Sequence, residues 1–416
     1  MFLRIMCLGW LWAASLGGLL AQGSGFQLNL VGQRQLGMGL AGTSLTEAPS
    51  STYLNPGGLS FLAEGGHVQL GGTAARALTQ YLSEQPSTYQ VNTDTLLLTP
   101  VYLYAAWRGR ANGWARRLAL GLSVNNPFGQ STRWPDNWRG KFITQEFALN
   151  SLFIQPTLAV QLSEAVGLGV GGVYALGTLL SGRAIQIDGP NGTEGSARFA
   201  GTGHGWGFNL GLHVKLTPQV QMGLSYRSGI RIRIDSGSAR FNVPESVSAQ
   251  FVDQAFQADL SLPPTVSLGL SYRPQERLLL AFEVNWVGWQ RFDSLRLQLA
   301  QPVPFLQQYP ERDYEATLNL RIGGEYRLTE QWSLRAGVFY DQSPVPQALM
   351  SPDIPDANRI GLTTGAGVLL FGRLDLELAF AYAYTGERTA ALTPAAFSGI
   401  YQSARSVLGL GLGYAF

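Results

Sequence analysis

Charge is scarce in this sequence: Asp, Glu, Lys and Arg make up 13% of its 416 residues, about half the ~25% usual in soluble domains. Lysine occurs only at Lys141 and Lys215. The single cysteine is Cys7. Nothing downstream can therefore form a disulfide, a thiolate metal site or a thiol nucleophile. The three histidines, His67, His204 and His213, show no metal-ligand spacing and no clustered carboxylates, so neither a metal nor a cofactor is expected. A Ser–His pair with an orienting third group is also missing, which argues against an enzyme. Beyond the N-terminus no apolar run approaches the ~20 residues of a transmembrane helix. With Arg4 set aside, 28 basic residues face 27 acidic ones, and this balance gives no reason to expect a nucleic-acid partner.

The first residues carry an address. Arg4 supplies a basic start, Ile5 to Leu20 an apolar stretch, and Ala21 and Gly23 small residues. Residues 1–24 are therefore expected to be a cleaved secretory signal peptide, with the cut between 21 and 25. Cys7 lies too early to be a lipoprotein attachment site.

The rest of the chain repeats a period of two. Leu318, Leu320, Ile322, Tyr326 and Leu328 share one parity, and Thr317, Asn319, Arg321, Glu325 and Arg327 share the other. Leu374, Leu376, Leu378, Phe380, Tyr382 and Tyr384 alternate with Asp375, Glu377 and small residues. Trp206, Phe208, Leu210, Leu212, Val214 and Leu216 alternate with Gly207, Asn209, Gly211, His213 and Lys215. Successive strand side chains point to opposite faces, so each segment has one apolar and one polar or small face. In a soluble all-β sandwich the apolar face points inward; in a membrane barrel it points to lipid.

Connection lengths favour the barrel. Very short links at Leu162–Ala165, Leu216–Pro218, Arg273–Glu276, Leu328–Gln331 and Phe371–Arg373 alternate with longer ones at Gly182–Ala200, Ser236–Ser261, Ala300–Arg312, Pro344–Ala357 and Arg388–Tyr401. Outer-membrane barrels have this asymmetry, with tight turns on the periplasmic side. Segments counted from Gly66 number about fourteen, an even number as such barrels require. Tyr272, Tyr326, Trp332 and Tyr414 fall near the short-turn end, where amphipathic rings form an interfacial girdle. The expected fold is all-β: a transmembrane antiparallel β-barrel over residues 65–416, placed in the cell outer membrane.

Residues 25–64 behave differently, being rich in Gly, Ser and Asn and free of alternation. They are too few to fold alone. They are expected to be a periplasmic tail or a plug within the lumen, where a polar lining can hold them by hydrogen bonds. Gly37-Met38-Gly39-Leu40-Ala41-Gly42 fits a dinucleotide fingerprint by letter only, because no strand precedes it and no βαβ unit surrounds it. Elsewhere Leu118, Leu120, Leu122 and Val124 alternate cleanly until Asn125-Asn126-Pro127-Phe128-Gly129 interrupts them. Proline lacks the ladder N–H, so the strand bulges or ends there.

Several ordered stretches resemble the FadL-type outer-membrane transporters of long-chain fatty acids and other hydrophobic compounds. Gly25-Phe26-Gln27-Leu28-Asn29 is similar to that family's N-terminus. Asn55-Pro56-Gly57-Gly58-Leu59 resembles its plug motif, with glycine in place of alanine. His204 to Asn209, Tyr226-Arg227-Ser228, Leu262-Pro263 and Trp286 to Phe292 follow in order. Asp341-Gln342-Ser343-Pro344-Val345-Pro346, Ile354-Pro355-Asp356 and Arg359 complete the set, before an ending on Tyr414-Ala415-Phe416.

The resemblance implies a plug inside a fourteen-stranded barrel and passive, ligand-gated uptake of hydrophobic molecules such as long-chain fatty acids. It implies a ligand pocket near Gly25, Phe26, Gln27, Asn55 and Pro56, and lateral release where the third strand is interrupted, at Asn125, Asn126, Pro127, Phe128 and Gly129. Leu176 and the lack of a lysine before the tenth strand depart from the fatty-acid members. Arg312 and Arg183 are the candidate carboxylate partners, or else the ligand is uncharged. The competing readings are a general porin for small polar solutes, a transporter of uncharged aromatic hydrocarbons, and an adhesion barrel. Expected partners are hydrophobic small molecules, outer-membrane lipids including lipopolysaccharide, and the barrel-assembly machinery, which the terminal strand ending on Phe416 would engage.

Overall fold

The computed structural model describes residues 25–84, 86–110, 113–187, 193–292, 295–303, 312–392 and 397–416. The leader expected at 1–24 lies outside them. Alternating large apolar and small or polar residues form fourteen wall strands, several in two or three segments. β1 is Gly65–Leu82; β2 comprises Gln90–Asn92, Leu96–Leu98 and Val101–Arg108; β3 comprises Leu118–Asn125 and Gly129–Arg133. β4 is Glu146–Gln161, β5 Val166–Gln186, β6 Glu194–Lys215, and β7 Val220–Arg227 with Ile230–Asn242. β8 is Gln254–Leu262 with Thr265–Gln275, β9 Leu278–Val287 with Leu297–Leu299, and β10 Thr317–Arg327. β11 is Trp332–Asp341, β12 Arg359–Leu370, β13 Leu374–Thr385 with Arg388–Leu392, and β14 Phe397–Ala415.

Neighbouring strands pair antiparallel, and β14 closes onto β1 in continuous register from His67 opposite Ala415 to Leu82 opposite Ile400. Closure removes the sheet edges that lipid could not solvate. The parity read from the sequence sets the faces. Leu318, Leu320, Ile322, Leu376, Leu378 and Phe380 are exposed on the outer wall, while Asn319, Arg321, Glu325 and Glu377 are buried within. Leu162, Leu216 and Leu328 each donate a backbone N–H across a tight turn, to Val166, Val220 and Trp332. These turns define the short end.

The opposite end departs from expectation. Much of Gly182–Ala200, Ser236–Ser261 and Arg388–Tyr401 is strand rather than loop, since β5 runs to Gln186, β6 starts at Glu194 and β7 runs to Asn242. The outward residues there include Arg198, Arg233 and Asp235. Alternation imposed by lipid stops where the lipid stops, but the hydrogen-bonded ladder continues.

Residues 25–64 run inside the ring of strands as three short helical turns, α1 (Gln33–Gly37), α2 (Ser51–Leu54) and α3 (Pro56–Leu59), joined by extended backbone. Backbone meets backbone where this segment crosses the wall. Gly39 is left-handed (φ 65°), and a Cβ there would strike the carbonyls of Ile322 and Val338. On the wall side, a Cβ at Gly323 or Gly337 would strike Met38 or Gly39.

Candidate functional site

The chain from Gly25 to Leu28 lies in the lumen against the interrupted strand. Phe26 is almost wholly buried in an aromatic nest, its ring 4.8 Å from Trp289, 5.0 Å from Phe292 and 5.8 Å from Phe128. Tyr314 closes the nest beside Phe292 and Trp289. The Trp289 Nε1 and the Tyr314 hydroxyl, both buried, have no hydrogen-bond partner among the described residues. Above the nest, the Gly25 N–H donates to Oδ2 of Asp356 at 2.9 Å, and the Ser343 hydroxyl donates to the same oxygen at 2.8 Å. Burial pushes the Asp356 carboxyl up to about 7, against the Gly25 N–H, the Ser343 hydroxyl and the nearby Arg359 and Arg388. Arg388 ties this group together through Ser343 Oγ (2.9 Å) and the Asp356 carbonyl (3.0 Å).

At the interruption β3 gives up its ladder with β2 and takes one with the N-terminal segment. Leu28 N–H donates to the Pro127 carbonyl and Gly129 N–H to the Phe26 carbonyl, both at 2.9 Å, so Gln27 faces Phe128 in an isolated antiparallel bridge. Asn126 repairs the wall on both sides: its Oδ1 accepts from Val101 N–H at 3.1 Å and its Nδ2 donates to the Ser151 carbonyl at 2.8 Å. Asn125 turns inward instead and donates to the Tyr104 hydroxyl at 3.3 Å. A Cβ at Gly129 would lie 2.8 Å from Leu28 Cδ1, so the wall approaches the segment closely here. Asn55 and Pro56 lie against β5 to β7. The Asn55 Oδ1 caps α3 by accepting from Gly57 N–H, and its Nδ2 donates to the carbonyls of Thr43 and Leu212. These two residues thus hold the segment to β6 rather than joining the nest.

Several of the buried charges inside the barrel form pairs. Arg34 on α1 meets Glu325 and Glu47 at 2.8 Å each, Arg335 meets Glu325 at 2.8 Å and Glu377 at 3.2 Å, and Arg34 N–H donates to Glu377. Glu283 accepts the N–H groups of Gly42 and Thr43 at 2.8 and 2.7 Å. Asp341 sits between Arg321 and Arg359. Carboxylates buried in this way require such partners. Of the two arginines singled out from the sequence, Arg312 is committed to Asp353. Burial opposes ionisation of Asp353, but the Arg312 guanidinium holds its carboxyl below the ordinary value. Arg183 lies on β5, buried and engaged.

Arg227 and Arg405 received no role from the sequence. The Arg227 guanidinium lies 3.9 Å over the Tyr53 ring and donates to Gln155 Oε1 at 2.9 Å and the Tyr53 carbonyl at 2.7 Å. It lines a lumen cavity of about 60 Å³ with Gln27, Asn29, Glu283 and Arg321. A count of parity back from Gly409 along β14 would have placed Arg405 inside.

Comparisons with known proteins agree with this architecture. The long-chain fatty acid transport protein of Escherichia coli (strain K12) is 22% identical over 280 residues, covering 59% of this chain and 62% of that protein. Outer membrane protein P1 of Haemophilus influenzae is 23% identical over 297 residues, covering 64% and 62%. These matches thus span about three-fifths of each curated relative. Among solved structures, a Pseudomonas aeruginosa FadL homologue superposes with a TM-score of 0.84 at 21% identity, covering 94% of this chain and all of the other. The Pseudomonas putida toluene transporter TodX gives 0.67 at 17% identity, covering 96% and 99%. The model of the family described as outer membrane protein transport protein (OMPP1/FadL/TodX) matches residues 14–416. On the strength of that match the chain belongs to this family of outer-membrane β-barrels.

Proposed function

We propose that the protein passes hydrophobic molecules, long-chain fatty acids among them, through the outer membrane by passive, ligand-gated diffusion. Residues 25–64 serve as the plug, and the β3 interruption serves as a lateral exit into the bilayer. One observation carries the reading: residues 26–28 dock on the backbone of residues 127–129. Displacing the segment therefore uncovers the break in the wall. A hydrophobic cargo gains little from entering aqueous periplasm, because exposing each CH₂ costs about 0.8 kcal/mol. Sideways release avoids that exposure. No catalytic step belongs to this reading.

A general porin fits poorly, because residues 25–64 run inside the ring of strands and are fastened there by buried ion pairs such as Arg34–Glu325. The aromatic nest of Phe26, Trp289, Phe292 and Tyr314 suits an uncharged aromatic hydrocarbon as well as an acyl chain. TodX, named a toluene transporter, shares the fold. Outside the wall, a groove of about 420 Å³ near the extended end is lined by Arg231, Arg233, Asp259 and Arg296, chemistry suited to lipopolysaccharide phosphates. Phe416, which exchanges backbone hydrogen bonds with Gly66, suits engagement by the barrel-assembly machinery.

The test replaces Pro127 and Gly129 with Val, which supplies a ladder N–H and crowds Leu28. In cells with correctly inserted barrel, laurate and toluene uptake should fall while ligand capture at the outer face persists. Undiminished uptake would refute the lateral exit. Large steady ion currents from the intact protein would favour the porin.

A further inference from the structure

The short end of the barrel is not uniform. Most of its connections are tight turns, but β2 and β3 are joined by residues 109–117, which include Arg110, Trp114, Arg116 and Arg117 and no acidic residue. Trp107, the last outward residue of β2, and Leu118, the first of β3, are both exposed on the outer wall, so the connection begins where the apolar wall stops. Trp114 stands out from it, 72% exposed, with the Arg117 guanidinium 5.7 Å from its ring centroid. Amphipathic indoles favour the boundary between membrane and water. Positive charge gathers around that ring. Arg110 donates to the Phe416 backbone oxygen at 2.7 Å, Arg117 to the Leu162 carbonyl at 3.4 Å, and Arg116 pairs with Glu64 at 2.5 Å. Behind them, Arg108 donates to the Leu62 carbonyl and to Gln161 Oε1, both at 2.7 Å, and Lys215 lies 4.4 Å over the Phe61 ring. Arg116 and Glu64 are electrostatic neighbours of Arg108, and Arg108 and Glu164 are neighbours of Lys215. Arg108, Arg110, Arg116, Arg117 and Lys215 thus share this sector with two carboxylates, Glu64 and Glu164. Elsewhere on the same end Arg273 and Arg327 share Glu47, with Glu276, Glu330 and Asp375 nearby, so the excess is local.

We propose that the β2–β3 connection is a docking surface for anionic phospholipid headgroups of the periplasmic leaflet. The tight-turn end of an outer-membrane barrel faces the periplasm, which puts these cations at the level of that leaflet's phosphates. Carbonyl partners orient a guanidinium without neutralising it, and the remaining N–H donors match phosphate oxygens in paired geometry. Arg110, Arg116 and Arg117 are all exposed to receive them, and Trp114 seats the connection at the boundary. The same cluster holds Phe61, Leu62 and Glu64, where the N-terminal segment joins β1. A headgroup and Glu64 therefore compete for Arg116. This docking is independent of what the barrel carries.

The experiment reconstitutes the full chain in dioleoylphosphatidylcholine bilayers that carry a minor fraction of either brominated phosphatidylglycerol or brominated phosphatidylcholine. Bromine quenches a neighbouring indole, and the share of Trp114 is the difference between the native protein and Trp114→Phe. The anionic lipid should quench Trp114 as though enriched about fivefold or more over the zwitterionic one, equivalent to ~1 kcal/mol. Combining Arg110→Gln, Arg116→Gln and Arg117→Gln should bring the enrichment down to about twofold or less. Glu64→Gln should raise it, because Arg116 loses its competing carboxylate. Salt at about 1 M, where the Debye length is ~3 Å, should weaken it in the native protein. Should the combined variant fail to insert, Arg117→Gln alone, which gives up only a long bond to the Leu162 carbonyl and the Trp114 ring contact, should still lower the enrichment by about twofold. Equal quenching by the two lipids in the native protein would overturn the proposal and leave the patch to a soluble acidic partner. Enrichment that survives the combined replacement in an inserted barrel would overturn it as well.

Discussion

Replacing Phe26 with Ala should release the N-terminal segment from the strand interruption without disturbing the wall. Phe26 is almost fully buried between Trp289, Phe292 and Phe128, at ring separations of 4.8, 5.0 and 5.8 Å. Truncating a buried Phe to Ala costs about 3–5 kcal/mol. The two backbone hydrogen bonds that the segment makes to Pro127 and Gly129 survive the substitution but are worth only ~0.5–1.5 kcal/mol each. At the lower figure of ~3 kcal/mol, the docking equilibrium shifts by about two orders of magnitude. Amide hydrogen exchange reads this locally, because regions open independently when few contacts tie them to the rest. Protection of the Leu28 and Gly129 amides should fall by about 100-fold, while amides of β10 to β13 keep theirs. Phe26→Leu should lie between. Undiminished protection at Leu28 would refute the nest as the segment's anchor. A loss shared equally by the wall would show that the nest stabilises the barrel instead.

Glu325→Gln leaves Arg34 and Arg335 facing each other across a buried site, and breaking such a pair costs about 3–5 kcal/mol. Planar bilayers should then show intermittent ion current absent from the native protein, and a silent variant would argue that α1 is held by something else. Gly337→Val drives a side chain into Met38 and Gly39. It should give inserted barrel whose residues 33–40 are open to protease, and native-like resistance would refute the close approach. Asp356 supplies a pH dependence. Its carboxyl is raised by burial from 3.8 to about 7, so the fold favours the protonated form. The resulting stabilisation is complete below about pH 4 and is lost as pH rises through 7. Residues 351–358 should therefore loosen across that window, as read by exchange corrected for intrinsic rate. Asp356→Asn should flatten the trend, and a trend of opposite sign would refute it.

Much of the wall was legible because lipid imposes a rule that a single sequence displays. Every outward position between the two interfaces must be apolar, so Leu318, Leu320 and Ile322 announce both strand and face. Where β5 to β7 rise past the lipid, the outer face turns to Arg198, Arg233 and Asp235. The same rule then gives no signal, and strand was read there as loop. The interior was less legible for a different reason. Arg34 finds Glu325 across 291 positions of chain, and Arg312 finds Asp353 through the folding of a loop, so neither pairing leaves a local pattern. The break at Pro127 was visible as chemistry, but its occupant was not. Nothing local to Gly25–Leu28 shows that these residues lie along Pro127 to Gly129. Arg405 was visible by parity alone, yet only the register of β1 and β13 shows that Ala77 and Ala383 stand opposite it.

The close approach of Met38 and Gly39 to Gly323 and Gly337 has a bearing on how such a protein changes over time. Side chains usually absorb mutation by shifting rotamer, but here two backbones touch and no side chain lies between them to adjust. A substitution on one surface cannot be accommodated by repacking on the other, only by lifting the whole crossing. The N-terminal segment and the wall are therefore bound to drift together at these positions while remaining independent elsewhere. A segment transplanted from a relative should seat only if its glycines fall on the same crossings, however well its charges match Glu325 and Glu377. Compatibility between the N-terminal segment and the barrel is thus set largely by the places where both lack a side chain.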